Sequence, residues 1–163
     1  MNTLRVQPLT PAAMAPYGSV IAAASGGDAI NGGSSRRHEA VAALDLQRDG
    51  GRAVLAVYDA QARTFPFETR ALERHRLSDQ VFLPLGGARR CVLLLAPAGL
   101  VAPRGEDCVA LLSDGRQGIR IAAGTWHHGL LALDDGPWAV LERRGAAVDC
   151  DEVVLEAPLR VVL

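Results

Sequence analysis

The chain has 163 residues, and its 17 basic positions are all arginine, set against 18 acidic residues for a formal charge of -1. With no lysine there is no amine for a Schiff base, a pyridoxal-phosphate anchor or a phosphate-loop lysine, so those mechanisms are excluded. The balanced charge has no long block of one sign, which argues against a nucleic-acid or anionic-membrane surface, while planar guanidinium forks suit a small carboxylic acid.

One domain over 1–163 is expected at this length. Residues 4–9 alternate like a short edge strand, and Thr10-Pro11 supplies an N-cap and a first-turn proline for one short helix through Ala15. Short apolar runs then recur between turn residues at 19–23, 53–58, 80–85, 90–96, 108–112, 118–122, 129–133 and 138–142, with 153–155 and 161–163 continuing the series. This spacing predicts a mainly β fold, a sandwich or barrel. Two segments interrupt it. The Gly/Ser-rich stretch 26–39 reads as a polar loop able to close over a site, and 96–105, with Pro97 and Pro103, as an inert one.

No run of about 18 apolar residues is present, and Met1 is followed by polar Asn2, Thr3 and Arg5. The expectation is a soluble, unsecreted, cytoplasmic protein. Cys91, Cys108 and Cys150 are odd in number and lack zinc-site spacing, so they are expected as reduced thiols.

The candidate chemistry lies with the histidines. Glu73 and His75 alternate onto one face of a strand, Gln80 follows, and His127 and His128 stand after the Gly124 turn. Two histidines and a carboxylate facing into a barrel from two hairpins bind a divalent metal of the nickel, manganese, iron or zinc kind. The alternative at this point is a Glu73 paired with a surface arginine and a His127 satisfied at the barrel mouth. Arg74 and Arg76 alternate away from His75, toward solvent or a dimer contact, and His128 reads as structural.

Glu73, His75, Gln80 and Gly86 resemble a degenerate first cupin motif, and Gly118, Gly124, Thr125, Trp126 and His127 resemble the second, with Ala122 in place of its proline. Glu73 stands where the motif has its first histidine, and Gln80 where it has its glutamate. Within the cupins, Ile30-Asn31-Gly32-Gly33 with Arg37, Leu72-Glu73-Arg74-His75, Gly115-Arg116-Gln117-Gly118, Gly124-Thr125-Trp126-His127-His128 and Asp149-Cys150-Asp151 closely resemble the ureidoglycolate lyase family, formerly called ureidoglycolate hydrolase. This sequence has His38 where family members more often carry tyrosine.

The resemblance implies a cupin-type jelly-roll barrel. It also implies a homodimeric lyase of allantoin and purine-nitrogen degradation that splits ureidoglycolate into glyoxylate and urea, with nickel as cofactor. On that basis Glu73, His75 and His127 are expected to be catalytic. His75, Gln80 and His127 would hold the metal, and Asn31, Arg37 and Gln80 would bind substrate, Arg37 clamping its carboxylate. The remaining arginines read as composition and solvation. The alternative function is a non-catalytic cupin that binds a small carboxylic acid or sugar as a sensor.

Overall fold

The computed structural model describes residues 2–23, 25–39 and 44–163. Its strands in chain order begin with β1 Asn2–Arg5, β2 Gln7–Pro8, β3 Gly18–Ile21, β4 Asp28–Ile30 and β5 Ser35–Arg37. Next come β6 Arg52–Ala60, β7 Phe67–Arg74, β8 Gln80–Pro84, β9 Cys91–Ala96 and β10 Val109–Leu112. The series ends with β11 Gly118–Ile121, β12 Trp126–His127, β13 Leu131–Ala132, β14 Gly136–Arg144 and β15 Asp151–Val162. The expected helix is a single turn, α1 Pro11–Met14, started by the Thr10 hydroxyl accepting from the Ala13 N–H and by Pro11 at the first position.

Two sheets face each other as a cupin-type barrel. One runs β1-β15-β7-β12-β9-β10-β2, with β13 also paired to β9, and the other runs β3-β11-β8-β14-β6. Strand β9 shows why the sequence folds this way, because all six of its residues are small or apolar and it is buried on both faces. Cys91, Leu93 and Leu95 pack inward against Phe82, Ile119, Trp138 and Val140 of the opposite sheet. Val92, Leu94 and Ala96 pack outward with Leu72, Trp126 and Leu159.

Several details differ from the sequence reading. The 26–39 stretch is a hairpin, β4 against β5, because Asn31 at φ +53 and Gly32 supply the left-handed turn that pairs Ile30 with Ser35. The runs at 153–155 and 161–163 belong to one strand, β15, whose register shifts between Val154 and Leu159. The 97–105 loop is not inert, since the Leu100 carbonyl accepts from Arg74 Nη1 at 3.0 Å and Trp126 Nε1 at 3.0 Å. Arg74 is not turned to solvent either. Its guanidinium stacks 4.3 Å from the Trp126 ring centre and bonds Asp151 at 2.9 Å.

Other arginines also do more than solvate the surface. Arg70 donates to the Leu155 and Glu156 carbonyls, Arg89 to those of Leu85 and Asp135, and Arg143 to those of Arg48 and Asp49. The Arg70 and Arg143 forks tie a bend or loop to a strand, and the Arg89 fork ties two loops together. No helix among the described residues is long and apolar enough to cross a membrane.

Candidate active site

Strand register assembles the site. His127 in β12 lies opposite Glu73 of β7 on one side and Leu95 of β9 on the other. Residues opposed in an antiparallel pair share a face, and Leu95 belongs to the inner core, so Glu73 and His127 both point between the sheets. Gly124, at φ +81, turns the chain into β12, and its N–H donates to the His75 carbonyl at 2.7 Å. Thr125 anchors the same turn through its hydroxyl, which donates to the Tyr17 carbonyl.

Both imidazoles are oriented alike. His75 Nδ1 lies 2.5 Å from the Asp149 carbonyl oxygen, and His127 Nδ1 lies 2.9 Å from that of Thr125. A carbonyl accepts only, so each Nδ1 carries a hydrogen, and Nε2 is the nitrogen whose lone pair the neutral imidazole presents. The potential ligand atoms of Glu73, His75 and His127 lie within 4.8 Å of one another. His127 is 2% exposed, and its Nε2 has no hydrogen-bond partner. Glu73 Oε1 is 3.6 Å from it, too far for a hydrogen bond. An orphaned buried acceptor costs about 1–3 kcal/mol, which a bound ion or substrate hydroxyl would recover. This donor set of two imidazoles and one carboxylate fits a divalent metal ion.

Burial pushes the His127 pKa down, more than the neighbouring Glu73 and the Thr125 carbonyl raise it. The imidazole is therefore neutral near pH 7, so the Glu73 contact is not an ion pair there. The folded state refuses a proton that the unfolded chain accepts below its ordinary value of 6.5. The associated stability is thus complete above that pH and is lost as pH falls beneath it, at up to about 1.4 kcal/mol per pH unit. In metal-free protein, the thermal midpoint should fall more steeply from pH 7 to 5.5 in the wild type than in His127→Leu. Parallel slopes would remove His127 as the cause.

Residues 149–151 strap this motif from outside. The Asp149 carboxylate accepts from the Arg76 and Leu77 N–H groups, and Asp151 pairs with Arg74 and Arg76. Arg76 therefore has an ion-pair partner, although its side chain is 65% exposed. Between the two aspartates, Cys150 Sγ sits 3.8 Å from Glu73 Oε2. Burial, reinforced by the Glu73 charge, pushes this thiol up to about 11, so it remains a protonated donor to Glu73. All three cysteines are free thiols, with Cys91 and Cys108 buried.

Of the six residues expected in the site, four converge. Gln80 is buried and lines a cavity of about 30 Å³ with His75. Asn31 and Arg37 lie on the exposed β4–β5 hairpin, where Arg37 pairs with Glu39. Among the described residues the hairpin makes no hydrogen bond or ion pair with the other four. His128 faces away from His127, its ring edge-on to Phe67 at 5.4 Å, and borders an open cleft of about 340 Å³ that reaches Glu73 past Ala71 and Val154.

Sequence reasoning missed Glu142 and Tyr58, which face the same interior from the opposite sheet. The available signal was the alternation Trp138, Val140, Glu142, whose first two members are fully buried. Tyr58 is pushed up to about 12 by burial and by its hydrogen bond to Glu142, with the Glu73 charge adding to the effect.

A family model described as ureidoglycolate lyase matches residues 1–162. A protein named ureidoglycolate lyase from Azotobacter vinelandii is 43% identical over 155 residues, covering 93% of this chain and 92% of the relative. Relatives of the same name from Burkholderia cepacia, at 41% identity, and Pseudomonas syringae pv. tomato, at 36%, cover 94% and 100% of this chain and 86% and 96% of their own. With its cupin-type barrel and its inward Glu73, His75 and His127, the chain belongs to the ureidoglycolate lyase family.

Proposed function

We propose that this protein is a lyase that cleaves ureidoglycolate to glyoxylate and urea. The observation that carries this reading is the buried, partnerless Nε2 of His127 beside His75 and Glu73. Ureidoglycolate bears a hydroxyl and a ureido nitrogen on one carbon, next to a carboxylate. Cleavage moves the hydroxyl proton to the departing nitrogen as the carbonyl forms and the carbon–nitrogen bond breaks, so glyoxylate plus urea balance without a co-reactant. A single carboxylate is enough to take that proton and return it, and Glu73 Oε1, turned toward His127, has this role.

The lone pairs of His75 and His127, with the Gln80 carbonyl, would hold a divalent cation beside Glu73, for which we propose nickel. Such an ion supplies Lewis-acid polarisation of the substrate hydroxyl. Gln80 orients the ureido group. Arg37 and Asn31 take the substrate carboxylate from the hairpin. We place the protein in the cytoplasm, in allantoin and purine-nitrogen catabolism, as one domain that forms a homodimer. Leu55 and Val57, 70% and 64% exposed on the edge strand β6, support a subunit contact.

Purified protein given ureidoglycolate should release equimolar urea and glyoxylate, lose that activity to a chelator, and regain it with nickel. Arg37→Ala should raise KM in the same assay, and an unchanged KM would dismiss the clamp. Saturable binding without turnover would favour the sensor.

A further inference from the structure

We infer that Glu142, held by Tyr58, is the specificity-determining acceptor for the ureido N–H groups of the substrate. This inference rests on the lyase reading above. Strand β14 points Trp138 and Val140 into the inner core, and Glu142 is the next residue on that face. It stands beside Gln80, because Leu141 pairs with Val81 and Val140 with Phe82. Its side chain is 14% exposed and lines the small cavity that also contains His75 and Gln80. The His75 ring that lines this cavity is centred 5.4 Å from that of the buried His127, whose Nε2 lacks a partner.

The hydrogen bonds within this pair decide what it recognises. Tyr58 donates to Glu142 Oε2 at 2.9 Å, and Arg144 reaches Oε1 at 3.2 Å from a largely exposed position. A carboxylate has about four acceptor positions, so these two contacts fix its plane and leave others open. What remains facing the cavity accepts hydrogen bonds and donates none. Gln80, on the adjacent strand, contributes its amide N–H donors to the urea carbonyl, its own carbonyl being the atom assigned to the cation. Together they complement a urea head, which offers N–H donors beside one carbonyl. Glyoxylate, the other product, has no N–H group and gives Glu142 nothing to accept. The molecule thus divides the reaction between two walls, with proton transfer on the Glu73 side and leaving-group recognition on the Glu142 side.

The test measures inhibition of the loaded wild-type enzyme and of Glu142→Gln by urea and by glyoxylate separately, together with KM for ureidoglycolate. Glu142→Gln should raise KM and weaken urea inhibition by about 10-fold or more, with glyoxylate inhibition unchanged. Tyr58→Phe, which removes only one hydroxyl, should weaken urea inhibition in the same selective manner to a smaller extent, and it serves as the readout if Glu142→Gln does not fold. Turnover by the wild type with unchanged urea inhibition in the variant, or with equal weakening for both products, overturns the inference alone. Wild-type protein that releases no urea overturns it together with the lyase reading.

Discussion

Glu73→Gln is expected to lower kcat for urea release by about 10²–10⁴-fold, the range for loss of a positioned general base. The substitution preserves shape while removing the proton acceptor. Its structural cost should be small, because the Glu73 side chain is 34% exposed and the Cys150 thiol is its only hydrogen-bond donor among the described residues. The checks are steady-state kinetics beside a thermal melt. A collapse of kcat with a midpoint near that of the wild type assigns the proton transfer to Glu73. Near-native kcat would move the base elsewhere, and the His75 and His127 cluster would then be a binding floor only.

Asp79→Ala should be the most destabilising single change near the site, by about 3–5 kcal/mol, because it leaves one partner of a buried ion pair uncompensated. For a chain of this size that is a fall of roughly 10 °C in the thermal midpoint. The Asp79 and Arg120 side chains are 9% and 18% exposed. Asp79 accepts from Arg120 Nε at 3.0 Å, Arg120 Nη2 at 3.1 Å and the Ala123 N–H at 3.0 Å. It therefore joins the strand bearing Gln80 to the turn that delivers His127, and its loss should loosen both. Differential scanning calorimetry of Asp79→Ala against Asp79→Asn measures this, since the asparagine keeps one acceptor. A loss below about 1 kcal/mol in Asp79→Ala would mean that water reaches Arg120.

The barrel was legible because its strands are short apolar runs, and β9 needs no partner to be recognised as buried on both faces. Glu73, His75, Gln80 and His127 were legible because each lies in a compact motif whose alternation fixes the face it occupies. Glu142 was not, because the alternation with Trp138 and Val140 gives only its face, while its place beside Gln80 depends on a register with β8 that lies far away in sequence. Cys150 presents the same difficulty. Its contact with Glu73 spans 77 residues, and nothing local to Asp149-Cys150-Asp151 reveals that these residues brace a distant histidine motif. The hairpin at β4–β5 was misread because glycine and serine suggest an irregular loop, whereas Asn31 turns that composition into paired strands. Arg74 was misplaced for a simpler reason. Strand alternation put it opposite His75 correctly, but that opposite face is covered by Trp126 and the 97–105 segment rather than open to water.

The guanidinium forks that grip main-chain carbonyls have a consequence for substitution. Arg70, Arg89 and Arg143 each reach two carbonyls at once with a rigid planar fork, whereas a lysine in the same place would offer one compact ammonium on a flexible stem. Exchange of arginine for lysine at these bends is therefore not conservative, and the loops framing the barrel would lose a paired anchorage that a single ammonium does not replace.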